Sequence, residues 1–176
     1  MNALVVYESI YGNTRAIAEA IAEGLGGAKV VPVRDGARYV DEAALLVVGG
    51  PTHIHGLATA SSRRAALEAL SEDGAAHAEP GATEEPGLRA WLRALPQREK
   101  AQAAAFDTRL DRSPWFTGIA SRGIAKRLRR RGYEVTGTES FLVEDSEGPL
   151  ADGELDRAHA WGAELAQSLR SAPGGN

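Results

Sequence analysis

Five consecutive apolar residues, Ala44-Leu45-Leu46-Val47-Val48, run without interruption and stop at Gly49-Gly50-Pro51. A strand with one wet face alternates apolar and polar side chains. One that is apolar at every position has to be covered on both faces, as happens inside a parallel sheet. Leu4-Val5-Val6-Tyr7 is a second run of this kind. Gly12-Asn13-Thr14 comes soon after it, then Ile17, Ala18, Ile21, Ala22 and Leu25 at helical spacing, closed by Gly26-Gly27. The pattern predicts further strands over 29–33, 101–106 and 133–143, and helices over about 61–71, 88–95, 119–131 and 153–168. Five strands alternating with about five helices make an α/β layout with right-handed crossovers.

At 176 residues the chain suits one domain, residues 1–170, followed by a flexible tail at 171–176. The acidic, Gly/Pro-rich stretch 72–87 reads as a loop inside that domain, because the halves on either side are too small to stand alone. No apolar run approaches the ~20 residues that span a bilayer. Met1 to Val6 lacks the basic region and cleavage site of a leader, so the cytoplasm is the expected compartment. The absence of cysteine excludes disulfides, iron–sulfur clusters and a cysteine nucleophile, which leaves redox chemistry to a bound organic cofactor. Net charge is −4, yet residues 121–132 hold six basic groups and no acidic one. A single basic patch in an acidic chain argues against a nucleic-acid binder. Within that basic helix Ile124, Ala125 and Leu128 form the inward face. Its outer face is either a solvated surface or a docking surface for an acidic partner.

In an open parallel sheet, ligands bind beyond the carboxyl ends of the strands, which selects the loops at 8–14, 49–56 and 107–116. Ser9-Ile10-Tyr11-Gly12-Asn13-Thr14 joins a strand to a helix, so its amides and hydroxyls lie at the positive end of a helix dipole, where a phosphate is favoured. It has neither the lysine of a Walker A loop nor the G-x-G-x-x-G of a dinucleotide site. The same residues would also serve as an ordinary N-cap, and the loop alone leaves both readings open. Gly49-Gly50-Pro51-Thr52-His53-Ile54-His55-Gly56 contains a His-x-His pair, but no third ligand lies nearby in sequence and no metal is expected. In the third loop, Trp115 and Phe116 either cover a flat ring or anchor the loop to the body.

Together these segments resemble the flavodoxin family. Val6-Tyr7-Glu8-Ser9-Ile10-Tyr11-Gly12-Asn13-Thr14 is similar to its FMN-phosphate loop, and Gly49 to Gly56 is similar to its G-x-P-T-(aromatic)-x-x-G isoalloxazine loop. The resemblance implies a three-layer sandwich around a five-stranded parallel sheet of order 2-1-3-4-5, with FMN at its carboxyl edge. It implies that Ser9, Ile10, Tyr11, Gly12, Asn13 and Thr14 hold the phosphate. Pro51, Thr52 and His53 would lie along the isoalloxazine, with His53 in place of the usual aromatic, and the peptides of Ile54, His55 and Gly56 would approach flavin N5. Asp107, Thr108 and Arg109 would border the pyrimidine edge, and Trp115 the outer face.

The function this implies is single-electron transfer between a reductase and an acceptor, with no catalytic side chain; the basic helix 122–131 is the docking surface for such redox proteins on the second of its two readings. The alternative is an FMN-dependent oxidoreductase on the same fold, a NAD(P)H:quinone reductase or a protoporphyrinogen-oxidase-like enzyme. A third reading is an interaction module that has lost the flavin. Arg109 and Arg112 add positive charge near the ring, which predicts a less negative potential for the second one-electron step than in an acidic relative.

Overall fold

The computed structural model describes residues 2–53, 56–57, 86–111, 118–145 and 148–171; of 53, 56 and 57 it describes the backbone alone. The elements are β1 (Ala3–Tyr7), α1 (Asn13–Gly24), β2 (Lys29–Pro32), two 3-10 turns (Val33–Arg38 and Val40–Glu42), β3 (Leu45–His53), β4 (Gly56–Leu57), α2 (Leu88–Ala94), β5 (Gln102–Leu110), α3 (Ala120–Arg130), β6 (Glu134–Val143) and α4 (Glu154–Ser171). The sheet order is β2-β1-β3-β5-β6, all parallel, with the two-residue β4 antiparallel against β3. Leaving β4 aside, this is the expected 2-1-3-4-5 order.

Helices cover both faces. Leu4, Val6, Leu46, Val48, Ala103 and Ala105 point to one layer, where Leu88, Trp91, Leu92, Ile124, Ala125 and Leu128 of α2 and α3 meet them. Val5, Tyr7, Leu45, Val47, Ala104 and Phe106 point to the other layer, against Ile17 and Ile21 of α1 and Trp161 and Leu165 of α4. Alternate residues of one strand thus serve opposite cores, which explains why β1 and β3 are apolar at every position. The edge strand β6 instead alternates over its first half, exposing Glu134, Thr136 and Thr138.

Three boundaries differ from the sequence expectation. β3 continues through Gly49, Gly50 and Pro51 instead of stopping there, pairing Gly49 with Phe106 and Pro51 with Thr108. Gly49 serves packing here, not a turn. A Cβ at that position would sit 2.0 Å from Cζ of Phe106, whose ring stands edge-on to Phe141 beneath the strand. β5 likewise runs on to Leu110, so Asp107, Thr108 and Arg109 are strand residues paired with Ser140, Phe141 and Leu142, not the start of a loop. The closing helix reaches Ser171, one residue into the expected tail, with the Ser168 and Ser171 hydroxyls donating to the Glu164 and Gln167 carbonyls. The expected helix at 61–71, residues 72–85 of the acidic loop and residues 172–176 lie outside the described residues.

Gly49→Ala is expected to cost about 1–3 kcal/mol, as overpacking of a closed core does. Adding Phe106→Leu, which shrinks the obstructing ring, should return part of that loss. Urea unfolding of the single and double variants checks it, and strictly additive losses would show that the two positions do not clash.

Candidate functional site

β1, β3 and β5 are parallel and adjacent, so their carboxyl ends open on one edge of the sheet. Glu8, directly after β1, points inward. Its N–H donates to the Gly49 carbonyl at 3.0 Å, and its buried carboxylate accepts the N–H of Leu88, the first residue of α2, at 3.0 Å. A carboxylate there meets the positive end of the α2 dipole.

The next six residues turn the chain into α1. Gly12 is the N-cap, at φ 90°, a left-handed conformation that a side chain would disfavour. Its N–H donates to the Ser9 hydroxyl at 3.1 Å, which closes the loop on itself. Neither Asn13 nor Thr14 caps the helix. Asn13 Nδ2 donates to the Gly148 carbonyl at 2.7 Å, and the buried Thr14 hydroxyl lies 2.7 Å from that of Thr108. Among the described residues no side chain caps α1 at its N-cap, and no acidic residue stands in its first turn. The first-turn amides therefore have no competing carboxylate in that turn, and Tyr11, Gly12 and Asn13 are partly exposed beside the buried Ser9, Ile10 and Thr14. This donor set fits a phosphate group.

The ends of β3 and β5 do a different job. Thr52 Oγ1 accepts the N–H of Ala120 at 3.0 Å, and Asp107 Oδ2 accepts that of Ser121 at 2.6 Å. Ala120 and Ser121 open α3, so two strands jointly hold the start of that helix through side chains. Asp107 is 0% exposed. Burial pushes its carboxyl above the ordinary value of 3.8, against the lowering effects of hydrogen bonding with Ser121 and Ser140 and of the Arg109 charge. Arg109 is partly buried at the end of β5, with Nη1 donating to the Leu110 carbonyl at 3.2 Å.

The structure thus brings Ser9 to Thr14, Thr52, Asp107, Thr108 and Arg109 to one edge. It gives Thr52 and Asp107 helix-holding roles that the sequence does not reveal. Pro51 is partly exposed in β3, and the backbones of His53 and Gly56 pair across β3 and β4. Ile54, His55, Arg112, Trp115 and Phe116 lie outside the described residues. The Gly148 carbonyl, brought in by the segment after β6, and the Ser121 amide have no local sequence signal. They become legible only once the sheet order places them.

The flavodoxin family model matches residues 5–161. Among curated proteins none matches the chain. Solved structures similar to it include an archaeal flavodoxin at 21% identity and TM-score 0.61, covering 97% of this chain and 99% of that one. A WrbA-like flavodoxin from Agrobacterium tumefaciens aligns at 19% identity and TM-score 0.62, covering 98% and 99%. Oxidised Flavodoxin 2 from Bacillus cereus aligns at 17% identity and TM-score 0.61, covering 96% and 99%. At these identities the likeness to the solved structures shows the fold.

Because burial raises the Asp107 carboxyl above its unfolded value of 3.8, the folded chain keeps that proton to higher pH than the unfolded chain does. The stability this group contributes is full below 3.8 and is lost as pH rises through the folded value. Asparagine still accepts from the Ser121 amide and has no charge to bury. Asp107→Asn is therefore expected to gain on the wild type as pH rises above 3.8, measured as urea midpoints over a pH series. A difference that stays flat with pH would remove the buried charge from the account.

Proposed function

The chain belongs to the flavodoxin family, whose cofactor is FMN, and from that premise we propose that it is an FMN-dependent single-electron carrier between a reductase and an acceptor. The observation that carries this reading is the open start of α1 at the carboxyl edge, with its Ser9–Gly12 closure and its first turn free of acidic residues. FMN, when bound, supplies the redox chemistry. The protein's part is to bind, orient and tune it.

In this reading the amides of Tyr11 and Asn13 hold the phosphate with the hydroxyl of Ser9, which accepts the Gly12 N–H and keeps its own proton to donate. Thr14 and Thr108 support that loop through their hydroxyl pair, which ties the start of α1 to β5. Thr52 and Asp107 position α3 and leave the ring to Pro51, His53 and the peptides of Ile54, His55 and Gly56, with Trp115 on the outer face. Arg109 supplies positive charge at the end of β5, where it favours the more reduced, more negative flavin. The exposed side chains Arg122, Lys126 and Arg129 on α3 suit an acidic redox partner.

Visible absorption of the purified protein, FMN titration of the flavin-free form and stepwise photoreduction test the reading together. Bound FMN with accumulation of the one-electron-reduced form supports the carrier. Direct two-electron reduction by NAD(P)H would assign the chain to the FMN-dependent oxidoreductases instead. No FMN binding at high micromolar concentration would leave an interaction module.

Ser9→Ala is expected to raise the FMN dissociation constant about tenfold, the worth of one hydrogen bond to a charged group. Arg109→Ala should move the second one-electron potential more negative by on the order of 40 mV, the scale of a single nearby charge of about 1 kcal/mol. Spectroelectrochemical titration reads the second effect, and an unchanged potential would take Arg109 out of the tuning.

A further inference from the structure

Far from the carboxyl edge, arginines of two helices converge. Arg93 of α2 and Arg127, Arg130 and Arg131 at the end of α3 line, with Leu92, a cavity of about 380 Å³. α3 starts at the edge where Thr52 and Asp107 hold it, and its 11 residues at about 1.5 Å each carry its last turn about 15 Å away. The cavity is therefore separate from the Ser9 to Thr14 loop.

Among the described residues no carboxylate pairs with these four arginines. Arg15, Arg34, Arg38, Arg98 and Arg157, by contrast, each have a carboxylate partner. Arg127 donates Nη1 to the Gly123 carbonyl at 2.9 Å, using one of its five N–H donors. Partial burial, and then the like charges of Arg89, Arg130 and Arg93, hold its guanidinium below the ordinary value, so its charged neighbours among the described residues repel it. The α3 dipole favours cations in its own last turn, but it does not account for Arg93 arriving from a second helix.

We propose that this groove binds a small polyanion carrying two or more phosphate groups. Guanidinium forks match phosphate oxygens bidentately, and arginine rather than lysine occupies all four lining basic positions. The volume falls in the range of small-molecule sites and exceeds what one phosphate fills. Four converging cations call for more than one negative charge. Leu92 and the arginine stems add apolar surface beside the charges.

The test is calorimetric titration of the purified protein with inorganic pyrophosphate, with orthophosphate and ADP as parallel ligands. Pyrophosphate is expected to bind one saturable site at least tenfold more tightly than orthophosphate, and to weaken as salt is raised. Arg93→Gln with Arg131→Gln should lower that affinity tenfold or more while the circular dichroism spectrum and urea midpoint hold. If that pair unfolds, Arg130→Gln, exposed on α3, carries the same expectation at about threefold. Ser9→Ala should leave the pyrophosphate affinity in place, which separates this groove from the FMN reading whatever becomes of the latter. ADP tighter than pyrophosphate assigns an organic diphosphate to the site, and equal affinities assign the inorganic ion. The proposal is overturned by unsaturable heats, by pyrophosphate binding no tighter than orthophosphate, by arginine variants that bind as the parent does, or by loss of binding in Ser9→Ala.

Discussion

Burial on both faces is the constraint from which the rest of the molecule follows. β1, β3 and β5 lie between two helical layers, and a polar side chain along their lengths would meet hydrocarbon on either side. Polar groups can appear only where these strands leave the layers. At their carboxyl ends stand Glu8, Thr52, Asp107 and Thr108, and each is hydrogen-bonded to an element that begins at that edge. The rule that drives apolar residues inward thus collects the chemistry at one rim.

The strands were legible because continuous apolarity is a strong signal, and because the helical spacing from Ile17 to Leu25 leaves little room for another reading; their order came only with the resemblance to the flavodoxin family. The ends of β3 and β5 were not. Gly49-Gly50-Pro51 has the composition of a turn, and the reason it stays in the sheet is the Phe106 ring 57 positions later in the chain, which occupies the space of a Gly49 side chain. Asp107-Thr108-Arg109 has the composition of a loop, and it remains extended because β6 continues beside it to Val143. The loop from Ser9 to Thr14 was visible as a motif. What Asn13 and Thr14 bond to was not, since Gly148 and Thr108 are remote in sequence. Local pattern reports what a residue prefers, and remote partners decide how it is used.

Charge is distributed on the same logic. A chain of net charge −4 sets its densest run of arginine on α3, whose apolar face is spent on Ile124, Ala125 and Leu128 and whose other sides are left to water. Its first turn is built into the rim by Thr52 and Asp107, and its last turn lies beside α2 in the arginine-lined groove. One rigid helix therefore borders two chemically opposed places, a rim that gathers carboxyls and hydroxyls and a groove that gathers guanidiniums.

The register between β3 and β5, with Leu45 opposite Gln102 and Pro51 opposite Thr108, joins two strands between which residues 54 to 101 intervene in sequence. Closing so long a span is entropically expensive once, but the expense grows only logarithmically, by about 0.6 kcal/mol for each doubling of length. That slow growth applies to the stretch outside α2 alone, because Leu88, Trp91 and Leu92 of α2 lie in the core against the sheet. The connection between the paired strands is thus anchored part-way along, and the close packing that fixes the strand pairing also fixes where the returning chain must pass.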